Sequence, residues 1–203
     1  MIASKLLRRG DTLPVSFSGI TKSFGSQTVL SQMSGEFADP GITCIMGKSG
    51  SGKTTLLNIL MGRLKADKGE LKGITGRRIG AVFQEDRLLP WCTALENVTL
   101  VLGGHQQDTE ARAMLTRMQL ADCVDQKVTE LSGGMKRRVA IARALVFQPE
   151  ILFMDEPFRG LDDALRVAVM EVVREFSKEH AVIMVTHDPA EAGFFGARIM
   201  HIS

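Results

Sequence analysis

Gly47-Lys48-Ser49-Gly50-Ser51-Gly52-Lys53-Thr54 is the stretch from which the architecture of this chain can be inferred. It fits a pattern of Gly, four residues and Gly-Lys-Ser/Thr, a loop whose backbone N–H groups cradle phosphates. The flanking residues predict a buried strand over 42–46 and a helix over 55–61, and Thr55 is grouped with the loop as a nucleotide-binding residue. Lys53 would reach the β- and γ-phosphates and the Thr54 hydroxyl would coordinate Mg²⁺. The alternative, a Gly/Ser-rich surface loop beside a lysine, does not explain this strand and helix.

Length and composition indicate one ordinary globular domain. The chain has 203 residues, of which 44% are hydrophobic and 24% charged, with a net charge of +2. That charge is too small to indicate nucleic-acid binding. Basic residues cluster at 5–9 and at Lys136-Arg137-Arg138, and we interpret the first cluster as a solvated terminus and the second as one face of a helix, rather than as a nucleic-acid patch.

The cysteines and the lengths of the apolar runs indicate the compartment in which the chain works. Cys44, Cys92 and Cys123 are far apart and show neither metal-ligand spacing nor a disulfide framework, which favours a reduced, cytosolic compartment. No apolar run is long enough to cross a bilayer, and the N-terminus lacks a signal-peptide core. We therefore expect any membrane role to be exerted from the cytosol through a partner.

Hydrophobic periodicity predicts an α/β organisation. All of the predicted strands lie before residue 84 or after 147, whereas helical patterns occupy the stretch between. The predicted strands cover residues 15–20, 27–30, 35–38, 42–46, 69–71, 78–83, 151–154, 181–185 and 198–202. The predicted helices after the first cover residues 94–102, 109–119, 134–147 and 162–177. The helix between residues 151–154 and 181–185 predicts a β–α–β unit of a parallel sheet.

Polar residues follow three of the predicted strands. Asp155-Glu156 follows the apolar run 151–154, at the strand end where ligands bind in such sheets. Asp155 is suited to hold Mg²⁺, and Glu156 to polarise the water that attacks the γ-phosphate. Gln84 would contact Mg²⁺ and that water, and His187 would hydrogen-bond the γ-phosphate. Each alone has an ordinary alternative, such as a solvated acidic turn or a structural histidine, and the phosphate loop upstream favours the functional interpretation.

Leu131-Ser132-Gly133-Gly134 forms a second glycine turn before a helix. Ser132 would cap that helix, and the helix N-terminus would make another anion cradle. A chain with one phosphate loop needs no second cradle for its own nucleotide. We therefore predict that this turn completes the site of a second copy, in a two-fold, head-to-tail dimer.

Taken together, these motifs resemble those of the ATP-binding-cassette (ABC) ATPases, over nearly the whole chain and in the family's order. The matches are residues 47–54 with Walker A, Gln84 with the Q-loop, residues 131–135 with the signature, residues 151–156 with Walker B, Gly160-Leu161-Asp162 with the D-loop, His187 with the switch histidine, and Phe24 with the adenine-stacking aromatic. The resemblance implies a P-loop NTPase (RecA-like) core of about residues 1–84 and 147–203. It also implies a mixed sheet, an inserted α-helical subdomain of about residues 85–146 and an N-terminal antiparallel β subdomain.

The resemblance also implies roles. Phe24 would stack on the adenine base. Thr54, Gln84 and Asp155 would bind Mg²⁺. Glu156 would be the general base of hydrolysis, and Gln84 and His187 would be catalytic residues beside it. Ser132, Gly133 and Gly134 would contact the ATP of the opposite subunit, and Asp162 would couple the two sites. ATP-driven closing of the homodimer would act on an integral membrane permease docked on the helical insertion.

The run Val82-Phe83-Gln84-Glu85-Asp86-Arg87-Leu88-Leu89-Pro90-Trp91 resembles importer ATPases for nitrate, sulfonates and taurine. It implies a bacterial importer with a separate permease and, indirectly, a solute-binding protein, the ATPase lying at the inner face of the plasma membrane. Leu88, Leu89 and Trp91 either contact the permease or pack inside the helical subdomain. Since the chain stops at Ser203, we expect no C-terminal regulatory domain.

Two residues depart from the family pattern. Met135 stands where Gln is usual, and we expect activity to survive because the cradle depends on Ser132 and the glycines. Arg159 stands where a small residue is common, and it would pair with an acidic neighbour or alter the path of the D-loop.

Other functions find less support in the sequence. A soluble cassette ATPase of DNA repair or translation usually has two cassettes, zinc-binding inserts or basic linkers, which this chain lacks. A phosphate-loop kinase would need an acceptor-binding lid, and a GTPase an Asn-Lys-x-Asp segment. A catalytically silent scaffold would not need Lys53, Asp155 and Glu156.

Overall fold

The computed structural model describes residues 14–103 and 108–202. Within these ranges the strands are β1 (Ser16–Phe24), β2 (Gln27–Glu36), β3 (Gly41–Gly47), β4 (Lys68–Lys72), β5 (Ile79–Val82), β6 (Ile151–Asp155), β7 (Ala181–Val185) and β8 (Arg198–Ile202). The helices are α1 (Lys53–Leu60), α2 (Ala94–Thr99), α3 (Asp108–Arg117), α4 (Gly133–Val146), α5 (Asp163–Ser177) and α6 (Pro189–Phe195). Short 3₁₀ turns lie at Ala121–Cys123 and Val128–Glu130. The basic cluster at residues 5–9 and the chain end at 203 lie outside the described residues.

The strands form two sheets. A three-stranded antiparallel sheet has the order β2-β1-β4, and a five-stranded sheet has the order β5-β6-β7-β3-β8 with every described pair parallel. Strands β6 and β7 are neighbours joined through α5, which confirms the predicted β–α–β unit. Because the strands are parallel, the carboxyl ends of β3, β6 and β7 meet at one edge.

Alternate residues of the parallel strands build two separate apolar layers. Ile45, Phe153 and Ile183 face α1 and the antiparallel sheet, whereas Cys44, Met154 and Met184 face the layer formed with α2 to α6. Strands β6 and β7 are buried throughout, as expected for a parallel sheet covered on both faces. The sheet edge that carries the site is therefore fixed from both sides.

One interpretation made from sequence is wrong. The separate strand predicted over 35–38 does not exist: Gly35 and Glu36 end the ten-residue strand β2, because the polar stretch before Gly35 continues the strand. An added Cβ at Gly35 would lie 2.4 Å from the Met200 methyl and 2.9 Å from the Phe17 ring, so these side chains would have to move. The basic run Lys136-Arg137-Arg138 lies in α4, as expected, but Arg137 and Arg138 are buried.

Backbone carbonyls compensate the buried arginines. Arg138 donates to the carbonyl oxygens of Met118 (2.7 Å) and Gln119 (2.8 Å), just after the C-terminus of α3. Helix C-termini leave carbonyl acceptors unpaired, and a buried guanidinium needs acceptors. Helical periodicity records neither of these needs, so the basic run alone gave no indication of burial.

Candidate active site

The phosphate-binding loop runs from the end of β3 to the start of α1. Gly50 and Gly52 adopt left-handed backbone angles, with φ of 80° and 92°, which only glycine accepts without strain. At Gly47 an added Cβ would lie 2.2 Å from the Ile202 carbonyl oxygen of β8. The glycines therefore let the loop turn tightly and approach its neighbours closely.

The loop forms a cradle with donors available to an anion. No side chain caps the N-terminus of α1, so its first N–H groups have no side-chain acceptor. The Ser51 hydroxyl is buried without a hydrogen-bond partner among the described residues. Lys53 folds over the loop and donates from Nζ to the carbonyl oxygens of Gly47 (2.9 Å) and Lys48 (2.8 Å). This arrangement suits a phosphate group.

Thr54 and Asp155 come together across the sheet edge. The Thr54 hydroxyl, in the first turn of α1, donates to Asp155 Oδ2 over 3.0 Å at the end of β6. Burial raises the pKa of the Asp155 carboxyl above 3.8, and Glu156 raises it further, while the Thr54 hydrogen bond, Lys53 and Arg137 oppose this. A buried carboxylate of this kind gains from a bound cation.

Glu156 is held in a strained conformation at the same edge. Its backbone has a φ of 46°, which is rare for a residue with a side chain, and its N–H donates to the Val185 carbonyl of β7 over 2.9 Å. Its carboxylate lies between two partners: Oε1 is 3.2 Å from His187 Nδ1, and Oε2 accepts from Arg159 over 3.3 Å. Two segments of the chain, at His187 and at Arg159, thus hold this one side chain.

A cleft of about 720 Å³ opens over these groups. Its lining includes eleven of the residues predicted from sequence: Gly47, Ser49, Gly50, Gly52, Lys53, Thr54, Thr55, Gln84, Asp155, Glu156 and His187. Val29, Arg159 and Val185 also line it. The geometry therefore brings the predicted phosphate, metal and catalytic groups into one cavity.

The serine–glycine turn does not line this cleft. Ser132 caps α4 by accepting from the Met135 N–H over 3.2 Å, as predicted. An added Cβ at Gly134 would lie 3.5 Å from the Gly160 carbonyl oxygen, so this turn sits beside the segment that follows Arg159. Asp162 caps α5 by accepting from the Leu165 N–H over 3.0 Å.

Phe24 is not among the cleft-lining residues. It ends β1, is 51% exposed, and has the Lys22 ammonium 5.5 Å from its ring centre. An exposed ring at a strand end is available for stacking.

Sequence reasoning missed the residue that anchors the Gln84 segment. Arg137 of α4 donates to the carbonyl oxygens of Phe83 (2.6 Å) and Gln84 (2.5 Å) and lies 3.2 Å from Asp86. Arg143, two turns further along the helix, donates to the carbonyls of residues 86 and 87. The only available signal was a run of basic residues, which gives no hint of burial.

The fold and site define the chain as a P-loop ATPase of the cassette type. Its residues 30–159 match the ABC transporter family. It is 39% identical over 189 residues to the aliphatic sulfonates import ATP-binding protein SsuB 2 of Pseudomonas syringae pv. syringae (strain B728a), covering 92% of this chain and 68% of that protein. It is 40% identical over 196 residues to the corresponding SsuB 3 of Rhodococcus jostii (strain RHA1), covering 95% and 72%.

A solved structure supports the same assignment. The dimeric post-hydrolysis state of the ATP-binding cassette MJ0796, bound to ADP and Pi, matches with a TM-score of 0.84 and 31% identity, covering 93% of this chain and 94% of that one. The chain therefore belongs to the ABC transporter family and is an ATP-binding, ATP-hydrolysing subunit. The relatives are named for import, which favours an importer over a cassette ATPase of DNA repair or translation.

Proposed function

We propose that this subunit hydrolyses ATP to drive solute import through a separate integral membrane permease. The observation that carries the proposal is the meeting, in one cleft, of the Lys53 loop, the Thr54–Asp155 pair and Glu156. Sulfonates are the first solute class to test, because the relatives are named for aliphatic sulfonates.

The loop suits the phosphates of ATP. Lys53 now satisfies two loop carbonyls, and its ammonium is free to exchange them for phosphate oxygens once these enter the cradle. We assign to the same cradle Gly47, Lys48, Ser49, Gly50, Ser51, Gly52 and Thr55. We assign Phe24 to stacking on the adenine base.

The donor set beside the cradle fits Mg²⁺. Thr54 and Asp155 offer a hydroxyl and a carboxylate oxygen 3.0 Å apart, and Gln84 lines the same cleft. Mg²⁺ takes few protein oxygens and completes its shell with water and phosphate, so this small set suffices. A bound ion would neutralise phosphate charge, and Asp155 would gain the counter-charge that its burial demands.

Glu156 is suited to act as the general base. Its carboxylate faces the cleft and accepts hydrogen bonds, so it can orient a water molecule and take its proton as the water attacks the γ-phosphate. His187 is exposed and within reach of both Glu156 and the cleft. We propose that it also contacts the γ-phosphate, and that Gln84 helps to position the water.

The remaining cradle supports a dimer. Ser132, Gly133 and Gly134 stand at the start of a fourteen-residue helix yet outside their own subunit's cleft. We propose that they bind the ATP of a second copy, with Asp162 at the boundary between the two sites. Arg137 would carry this event to Gln84, because it joins α4 to the Gln84 segment.

The partner surface lies in the helical insertion, which we place at about residues 85–146, apart from a core of about 1–84 and 147–203. Trp91 is 69% exposed, whereas Leu88 packs against the buried helical layer. The buried Asn97 amide holds Leu89 by accepting from its N–H over 2.8 Å and donating to its carbonyl over 3.1 Å. We therefore propose Trp91 as the permease contact and Leu88 as its support.

The proposed location is the inner face of the bacterial plasma membrane, with a solute-binding protein acting indirectly. In the described ranges no helix is long and apolar enough to cross a bilayer. Attachment would therefore rely on the permease.

The decisive experiment replaces Glu156 with Gln. We expect ATP binding to persist while turnover falls by about 10²-fold or more, because the amide cannot accept the proton. Glu70→Gln on the exposed strand β4 is the matched control and should hydrolyse at the parent rate. Binding is read by equilibrium dialysis and turnover by phosphate release. A Glu156→Gln protein that hydrolyses at the parent rate removes Glu156 from the proposed role.

A further inference from the structure

Arg159 lies at the mouth of the cleft and contacts the proposed general base. Its guanidinium donates to Glu156 Oε2 over 3.3 Å, and its backbone N–H donates to the Glu156 carbonyl over 3.3 Å. Both contacts span three residues, so the two side chains project from one tight turn. Arg159 itself is 63% exposed, whereas Glu156 is 21% exposed.

The turn fixes the direction of Arg159. Phe158, the preceding residue, is buried and its ring packs 6.0 Å from that of Phe195 in α6. Gly160, the following residue, adopts a φ of 79° and redirects the chain towards α5. With Phe158 anchored in the core, Arg159 points to the opposite side, where the cleft lies.

The Glu156 carboxylate is thereby clamped at both oxygens. His187 contacts Oε1 and Arg159 contacts Oε2. Lys53, the other cation in the cleft lining, is engaged with the loop carbonyls. A carboxylate has about four acceptor sites, so the clamp orients it and still leaves room for a water molecule.

We propose that Arg159 is a positioning residue of the hydrolysis site, which holds the Glu156 carboxylate in the orientation needed to accept a proton from the attacking water. The inference rests on the proposed role of Glu156. Arg159 acts through Glu156, and its removal leaves the carboxylate restrained by His187 alone. His187 is itself expected to turn to the γ-phosphate, so Arg159 would then be the remaining restraint.

The test compares Arg159→Ala and Arg159→Lys with the parent in the full chain, with Arg112→Ala on exposed α3 as the control. We expect Arg159→Ala to lower kcat about fivefold to tenfold with less than about a twofold change in the KM for ATP, because a loosened carboxylate is less often oriented to accept the proton of the attacking water. Arg159→Lys should recover part of kcat through a single contact. An unchanged or raised kcat overturns the proposal. A raised KM with unchanged kcat shows that Arg159 binds nucleotide instead, and also overturns it.

A double-mutant cycle separates this inference from the proposed function. In a Glu156→Gln background, Arg159→Ala should change the residual rate by less than about twofold, since its target is already lost. If Arg159→Ala lowers the rate in this background as much as it does in the parent, Arg159 acts independently of Glu156 and the inference is contradicted. If Glu156→Gln is slow but Arg159→Ala is normal, only the inference fails. If Glu156→Gln is as fast as the parent, the proposed function of Glu156 fails first.

Discussion

Glu191 is a buried carboxylate behind the strand end that carries His187. It accepts a hydrogen bond from the Thr186 hydroxyl, which in turn accepts from the Asp188 N–H over 3.1 Å. These bonds bracket His187 on both sides along the chain. Burial raises the pKa of Glu191 above 4.5; Asp188 also raises it, while the Thr186 hydrogen bond, Arg166 and His187 lower it.

The raised pKa of Glu191 makes a pH-dependent contribution to stability. Below pH 4.5 the carboxyl is neutral in both states; as pH rises, the unfolded chain loses this proton first, so native stability falls until the folded-state pKa is passed. Glu191→Gln removes this loss. The unfolding free energy of the variant minus that of the parent should therefore be larger at pH 7 than at pH 4, by about 1.4 kcal/mol for each unit by which folding raises the Glu191 pKa. Urea unfolding at both values measures it, with the exposed Glu171→Gln as control. An equal difference at both pH values contradicts the assignment.

Site residues were predictable from sequence where the chemistry is carried by a local motif. Asp155 ends β6 and Glu156 follows it, while Lys53 and Thr54 begin the helix after the loop that follows β3, so the shared edge of a parallel sheet was enough to bring them together. The contacts of Arg159 and Arg137 depend on side-chain directions set by distant packing. No local pattern encodes those directions, although an acidic partner for Arg159 was among the expectations.

Helix α4 links the serine–glycine turn to the Gln84 segment through one buried side chain. Arg137 donates to two carbonyl oxygens of that segment and faces Asp86. Burial raises the pKa of the Asp86 carboxyl, although Arg137, Lys136 and Arg143 lower it. Arg137→Ala should lower the free energy of unfolding by about 3 kcal/mol, because it leaves two part-buried carbonyl acceptors and a half-buried carboxylate without their donor.

Urea unfolding compares this variant with Arg112→Ala, whose side chain is 48% exposed and should cost less than about 1 kcal/mol. Arg137→Lys, which can reach fewer acceptors, should fall between them. A loss from Arg137→Ala no larger than that of the control shows that the link contributes little to the fold.

Elements were predictable to the extent that their own residues determine them. Strand β7 is apolar throughout and β6 is apolar up to Asp155, and both were placed correctly. Strand β2 was divided in two, because residues 31–34 are largely polar and their strand geometry comes from pairing with β1. A strand held by its neighbour rather than by its own composition leaves little trace in sequence.

The arrangement of the whole molecule leaves one cradle inside the cleft and another outside it. Ser132 caps a helix beside Gly160 and does not line the cleft that holds Lys53. A subunit in which both cradles served one nucleotide would bring them to one cavity. In the proposed dimer, a two-fold pair of subunits would supply each site with one cradle from each copy, because both copies present the same surface.

Mixing two inactive variants tests this division. Lys53→Ala removes the lysine of the phosphate loop, and Ser132→Glu repels phosphate at the serine–glycine turn. Each homodimer should therefore lack a complete site. In the mixed dimer the intact loop of one copy meets the intact serine of the other, so equal amounts should regain about a quarter of parent ATPase activity by random pairing with independent sites.

Phosphate release from the mixture, compared with each variant alone, provides the measurement. Mixing Lys53→Ala with Glu156→Gln is the matched control, since Lys53 and Glu156 belong to the same half-site and every paired site then stays broken. Recovery in the first mixture but not in the second requires a shared site. Two variants that stay as inactive together as apart would contradict a site shared between two copies.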